Sequence, residues 1–441
     1  MDSLEKHGTP QKALLINLDP TVFGSFAEIG AGQEVARWFL RVGGASGTVA
    51  KTISAYDKEV SDDLYGAGTR YVSKPRLLAM LESEWEQLLG QLGATRGATT
   101  KFFSFVDTIS ARNFSGTNDC HGWVGLRFMR QPGGPANDVI LHVNLRDPSN
   151  VQQQEAVGIL GVNLLYAAEH DLKSPEEFLG GVMEDLSQER MELDCVELKG
   201  PAFENWDRHE LHAHLVAGGH AEAVVFPADN HFVPPNELLY KRALVLAPGW
   251  FGHVNQLHVD LIRTTLAELP TEELKESKGG LGLFCLSTAP RTTELKALAA
   301  TEIVKTVKTL QEQGYGVMLF RAPELYGMSA FVNRYTGLRI HFAIGLSILV
   351  RVLGDPYLNL PGQLLEAIAR LFSQNVRVVV HPMEVEEVER RVKTSGLVGW
   401  SWEATNGMVY ANDLHPAKPL DYLYKYLLGE SWILPSNKAL G

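Results

Sequence analysis

Between residues 243 and 381 the chain repeats one pattern: a short apolar run, a stretch with helical spacing, then another apolar run. Residues 243–247, 282–286, 316–320, 339–343 and 376–381 read as strands, with helical spacing at 255–268, 292–313, 324–334 and 361–373. Parallel neighbours cannot be joined by a tight turn and need a crossover, usually a helix. The alternation therefore predicts a parallel sheet with right-handed crossovers, a Rossmann-like α/β domain. The apolar passage at 340–353 is interrupted by Gly345 and Arg351 and reads as strand running into helix.

The first half follows a different rule. Residues 122–130 and 138–145 alternate apolar and polar side chains around Pro132-Gly133-Gly134-Pro135, which is the pattern of an antiparallel hairpin. Further strands are predicted at 47–55, 101–109, 191–198 and 223–226, and helices at 33–42, 75–92, 152–168 and 208–220. Ser174-Pro175-Glu176-Glu177 adds a helix start with cap, first-turn proline and acids. Hairpin plus helices makes this half a mixed-sheet α/β domain. A chain of 441 residues exceeds one ordinary core, so two domains are expected, 1–232 and 233–441, with the Pro- and Asn-rich stretch 229–237 between them.

Residues 12–57 concentrate the features of a ligand site. The apolar run 13–18 predicts a buried strand that stops at Asp19-Pro20. A loop holding Gly24, Gly30 and Gly32 follows, then a helix ending at Gly43-Gly44. A glycine turn leading into a helix N-terminus presents backbone N–H groups to an anion. Arg37, one turn in, adds positive charge, while Glu28 and Glu34 oppose a bare phosphate and suit an amine, a sugar or a metal–phosphate. The Gly-Lys-Ser/Thr ending of a Walker loop is missing. Lys51 interrupts an apolar strand and needs a partner or a ligand. Asp107 ends a strand, where open α/β sheets gather ligand groups, and the polar loop after it leads to Cys120, His121 and Arg127. Adjacent Cys120 and His121 rarely face each other, which argues against a thiolate–imidazole pair. His209 and His212 have metal-ligand spacing on one helix, but no carboxylate or cysteine completes a set, so a solvated helix face is expected and no metal site.

Charge and composition narrow the partners. A formal charge of −12 without a Lys/Arg cluster excludes a broad nucleic-acid footprint and leaves a small-molecule ligand or a protein partner, a second copy included. Three scattered cysteines form no Cys-x-x-Cys pair and fit free thiols in a reducing cytoplasm. The polar first residues give no secretory signal, and no apolar run reaches membrane-spanning length.

The segment from Leu246 to Ile262 reads strand, glycine turn, helix. It resembles the entry motif of the nucleotidylyltransferases, in which Gly-x-Phe-x-Pro precedes Thr/His-x-Gly-His. Gly249, Phe251, His258 and Asp260 match by spacing, whereas Gly252-His253, Asn255 and Leu257 depart from the pattern. The resemblance implies His258 and Asn255 as catalytic residues, Gly249 and Phe251 as ligand contacts, and ATP with magnesium as cofactors. The whole chain resembles a family of uncharacterised bacterial cytosolic proteins through NLDPTVFGSFAEIGAGQEVARWF, GTVAKTISAYD, NDCHGW and EAVGILGVNL. Members of that family carry the names TonB-dependent receptor and nicotinate-nucleotide adenylyltransferase. The receptor name conflicts with the lack of a signal, plug or β-barrel pattern here.

Three functional readings follow. One is a nucleotide-linked enzyme with its site at Gly249–Asp260. Another is a non-catalytic, self-associating metabolite binder. The third is an enzyme whose site joins Glu28, Lys51, Asp107 and His121, with Gly30, Gly32, Arg37 and Arg127 as further contacts.

Overall fold

The structure is a computed structural model that describes residues 7–249, 256–289, 300–372, 375–395 and 399–436. It divides into two compact units, the first through Val224 and the second from Val225 onward.

The first unit runs α1 (Thr9–Leu18), β1 (Val22–Gly30), α2 (Gln33–Val42), β2 (Val49–Ser54), α3 (Lys58–Tyr65), α4 (Lys74–Arg96), β3 (Lys101–Ser110), β4 (His121–Met129), β5 (Ala136–Leu145), α5 (Asn150–His170), α6 (Pro175–Val182), β6 (Met191–Lys199) and α7 (Arg208–Ala217). The first element corrects the sequence reading: residues 13–18 lie in a helix. Pro10 sits in its first turn, and Thr9, Lys12, Ala13, Ile16 and Asn17 form its buried side at helical spacing. Lys12 is buried because its Nζ donates to Glu184 Oε2 at 2.6 Å and to Asn163 Oδ1 at 2.8 Å. Most of the expected glycine loop is strand β1, buried on both faces, so alternation gives no signal there.

The strand order is β2-β1-β3-β4-β5-β6. β1 runs parallel to β2 and β3, and β3 to β6 form an antiparallel meander. The pleat separates two faces. On one, Ala27, Ile29, Val106 and Trp123 pack against Leu77, Met80 and Leu81 of α4. On the other, Phe26 meets Phe39 of α2 at a ring distance of 5.1 Å. Helix α5 closes on α2 at Gly158 and Gly161, where any Cβ would strike Glu34, Trp38 or Val35.

The second unit's main sheet has the order β17-β12-β11-β8-β9-β10-β7, with β7 (Ala223–Phe226), β8 (Ala243–Pro248), β9 (Gly280–Ser287), β10 (Gly316–Phe320), β11 (Ile340–Gly345), β12 (Val376–His381) and β17 (Ile433–Pro435). The five strands expected from the alternation occupy adjacent positions, and β8, β9, β10, β11, β12 and β17 pair in parallel. The chain winds from β8 to β10 one way and resumes at β11 on β8's other side, so the order reverses beside β8. Helix α9 (Gln256–Ala267) follows β8 in the described chain, and helix α13 (Leu346–Gly354) follows β11 directly, as the break at Gly345 foretells. Two short antiparallel pairs, Met383–Glu384 with Met408–Val409 and Trp400–Trp402 with Leu414–Pro416, form two further two-stranded sheets that the sequence does not announce. No helix among the described residues is long and apolar enough to cross a membrane.

Candidate functional site

β1 and β3 carry two acids to their carboxyl ends in one register: Glu28 lies directly beside Asp107. Both face the α2 side, because they share the parity of Phe26 and Phe105. Asp107 is fully buried, and neither carboxyl oxygen meets a hydrogen-bond donor among the described residues. Burial, with the Glu28 charge added, pushes the Asp107 carboxyl well above the ordinary range. Burial also raises Glu28, while the donors around it, Ser54, the Gly32 N–H and Gln33, pull it back down.

The loop between β1 and α2 is built against this pair. Gly30 has φ +101°, and a Cβ there would lie 2.0 Å from the Ile109 carbonyl oxygen. Gly32 opens α2, and a Cβ on it would sit 1.8 Å from Asp107 Oδ2. Only a residue without a side chain lets the helix N-terminus rest on the buried carboxyl. Gln33 Nε2 donates to the Gly30 carbonyl at 2.7 Å and ties the turn. The arrangement sets two carboxyl groups side by side at a helix N-terminus, Asp107 shifted toward its protonated form by burial and by Glu28, a pairing able to receive a donor group.

The remaining expected residues do not join this pair. Arg37 is solvent-exposed and pairs with Glu34 at 2.8 Å, one turn along the same helix. Lys51 projects to the opposite face, where Glu84 meets it at 2.9 Å. Arg127 sits toward the far end of β4, clamped by Asp138 at 2.7 Å and by Glu82. His121 pairs in register with Ser110, three residues beyond Asp107, and so points to the α4 face. The expected convergence of Glu28, Lys51, Asp107 and His121 therefore fails on the pleat: odd spacing along a strand reverses the side-chain direction. Cys120 is likewise no thiolate partner for His121, since its Sγ contacts the Asn118 carbonyl at 3.6 Å.

His121 instead ends a chain that the sequence reading missed. Its Nδ1 lies 3.1 Å from His142 Nε2, and His142 Nδ1 lies 2.6 Å from Asp194 Oδ1. Asn144 Nδ2 donates to Asp194 Oδ2 at 2.7 Å. The available signal was strand parity: His142 and Asn144 share a face of β5, and a register shift in β6 turns Asp194 toward them. His212, expected on a solvated face, is buried: the Val196 N–H donates to its Nε2 at 3.3 Å. Burial lowers it to about 4. No group of three or more His, Cys, Asp or Glu side chains is placed to hold a metal among the described residues.

In the second unit, Gly249 stands at the carboxyl end of β8, its N–H donating to the Cys285 carbonyl at 3.1 Å. His258 is half-buried on α9 and shifted below its usual value by burial and by Arg391. Asp260 is held by Arg263 at 2.6 Å and Gln256 at 3.0 Å. Phe251 and Asn255 lie outside the described residues.

No family model matches this chain, and no curated protein does. Among solved structures, similarity is found to the competence/damage inducible protein CihA from Agrobacterium tumefaciens, at 21% identity and TM-score 0.28 over 37% of this chain and 98% of that one. The competence damage-inducible protein A from Klebsiella pneumoniae is similar at 13% identity and TM-score 0.25, over 37% and 94%. A competence or damage-inducible protein from Enterobacter asburiae gives 14% and 0.26, over 37% and 99%. Scores at this level carry no functional argument, and the site rests on its own geometry.

Proposed function

We propose that the first unit is a small-molecule-binding domain in which Glu28 and Asp107 receive donor groups, amine, amide or sugar hydroxyl, of a nucleotide or other phosphorylated metabolite. The observation that supports this is Asp107: a fully buried carboxyl with both oxygens lacking a donor among the described residues. Such a group costs the fold about 1–3 kcal/mol, which a ligand's N–H or O–H recovers. The N-terminus of α2 rests on the same carboxyl through Gly32, and with Glu28 and Glu34 beside it the place suits an amine, amide or hydroxyl of the ligand better than a bare phosphate. Since the glycine turn packs directly on Asp107, binding requires that turn to move.

Thermal unfolding of the full chain with nucleoside monophosphates, nicotinate mononucleotide and small amines tests this reading. A ligand at one hundred times its Kd stabilises by about 2.7 kcal/mol. The reading requires one of these compounds to raise the Tm of the natural protein and to lose that effect in Asp107→Asn. A panel without effect, or a shift retained in Asp107→Asn, ends it.

A second reading places a nucleotide in the second unit. What favours it is the reversal of strand order beside β8, because open α/β sheets take ligands outside the carboxyl ends of strands at such a point. Gly249 stands there, and His258 follows on the next described helix. Nicotinate-nucleotide adenylyltransfer is the specific form of this reading. ATP, magnesium and nicotinate mononucleotide should then release pyrophosphate, and His258→Ala should abolish the release. The self-associating reading predicts a dimer or larger assembly by light scattering.

A further inference from the structure

In the second unit, the antiparallel pair Trp400–Trp402 with Leu414–Pro416 and the helix Leu420–Gly429 border an open basin of about 570 Å³. Trp400, Ser401, His415, Lys418, Asp421 and Lys425 stand in its wall. Its size falls within the range of small-molecule sites, about 300–1,000 Å³.

Opposed residues of an antiparallel pair point to one side, so Ser401 and His415 share the exposed face of this ribbon. Trp400 with Pro416 and Trp402 with Leu414 share the other face, where Pro416 and Leu414 are buried and Trp400 is half-buried. Trp400 meets Tyr424 of the helix edge-on at a ring distance of 5.9 Å. Tyr424 is held in turn, since its hydroxyl donates to the Ala411 carbonyl at 2.6 Å. The indole is therefore fixed in place, with part of its surface left to the basin. A ring already ordered offers a flat ligand a stacking surface at little entropic cost.

The charge of the basin runs against that of the chain. The sequence carries a formal charge of −12, yet two lysines here face one acid. Asp421 is mostly buried and takes Lys425 at 2.8 Å. Lys418 has no acidic partner among the described residues, and its ammonium stands 5.4 Å from the Tyr422 ring. His415 is exposed and adds a further donor. Ammonium groups bind phosphate as point charges, whereas a planar carboxylate favours the fork of an arginine, and among the described residues no arginine lines the basin.

We propose that this basin binds a phosphate monoester that carries an aromatic ring, of mononucleotide size. The phosphate lies among Lys418, Lys425 and His415, and the ring lies against Trp400. Lys425 exchanges part of its contact with Asp421 for the phosphate. The site uses none of Glu28, Asp107, Gly249 or His258, so it stands or falls apart from both readings above.

The test is calorimetric titration of the full chain with adenosine 5′-monophosphate, with adenosine and inorganic phosphate as separate arms. The natural protein should bind the monophosphate more tightly than either fragment, and added salt should weaken that binding. Lys418→Glu should weaken it about 10-fold or more, because an attraction becomes a repulsion. Trp400→Leu should weaken it about 5-fold or more. The titrations are repeated in Asp107→Asn, where any response of the first unit is lost and this one is kept. In the natural protein the indole N–H resonance of Trp400 should move during the titration, a reading that does not depend on whether Trp400→Leu folds. No binding of the monophosphate, an equal affinity for adenosine or for inorganic phosphate alone, natural affinity in Lys418→Glu or in a folded Trp400→Leu, or an unmoved Trp400 resonance each overturn the proposal.

Discussion

Asp107 and Asp194 are buried to within 1% of total exclusion in the same sheet, yet their surroundings differ in kind. Asp194 is bonded at both oxygens, by a histidine and an asparagine on the neighbouring strand. Asp107 has Glu28 beside it and a glycine backbone above it, and no donor among the described residues. Burial alone therefore does not mark a binding site in this protein. A buried carboxylate with its donors in place organises its neighbours; one without donors is destabilised until something supplies a proton or an N–H.

The comparison can be broken by substitution. The largest effect belongs to Asp194→Ala, which strips His142 and Asn144 of a buried partner at once. A loss of about 3–5 kcal/mol is expected in denaturant unfolding, and a loss below about 1 kcal/mol would show that the network contributes little. Next comes Gly32→Ala. Its Cβ would fall 1.8 Å from Asp107 Oδ2, so helix or carboxyl must shift, at about 1–3 kcal/mol. An unchanged Tm would mean that the turn is looser than its packing implies.

Asp107→Asn should act in the opposite direction. The folded-state pKa of Asp107 is raised, so the folded protein binds that proton more tightly than the unfolded chain does. The stability from that proton is complete below the unfolded value near 3.8 and is lost as pH rises toward the folded value. At neutral pH the variant should be more stable by about 1–2 kcal/mol, and the gap should close on acidification. A variant less stable than the natural protein at pH 7 would mean that the carboxyl has a partner after all. Arg37→Ala, on an exposed pair one turn along α2, should change stability by less than about 0.5 kcal/mol and leave ligand response intact.

Parts of the site were readable in advance for definite reasons. Glu28, Gly30, Gly32 and Asp107 stood out because polar residues and glycines followed apolar runs, and the structure places these four together. The exact run was misread: residues 13–18 form a helix, whose buried lysine finds Glu184 more than 170 positions away, beyond the reach of any local pattern. Lys51, Arg127 and Arg37 attracted notice as charges near strands or a helix N-terminus, and each turned out to be matched by an acid. His142 and Asp194 drew none, because nothing within either strand shows that the two side chains meet 52 positions apart.

Local order came from the sequence itself. Alternation of strand and helix, the hairpin around Pro132–Pro135 and the cap at Ser174 depend on spacing and backbone preference within a few residues, and they appear among the described residues, outside which 292–299 of the expected helix 292–313 lie. Only the tertiary structure decided which polar groups share a face. That choice rests on register and pleat between strands far apart in the chain, where a shift of one residue exchanges the buried side for the other. It set Asp107 against Glu28 and Gly32, and it carried His121 to the opposite face with His142 and Asp194.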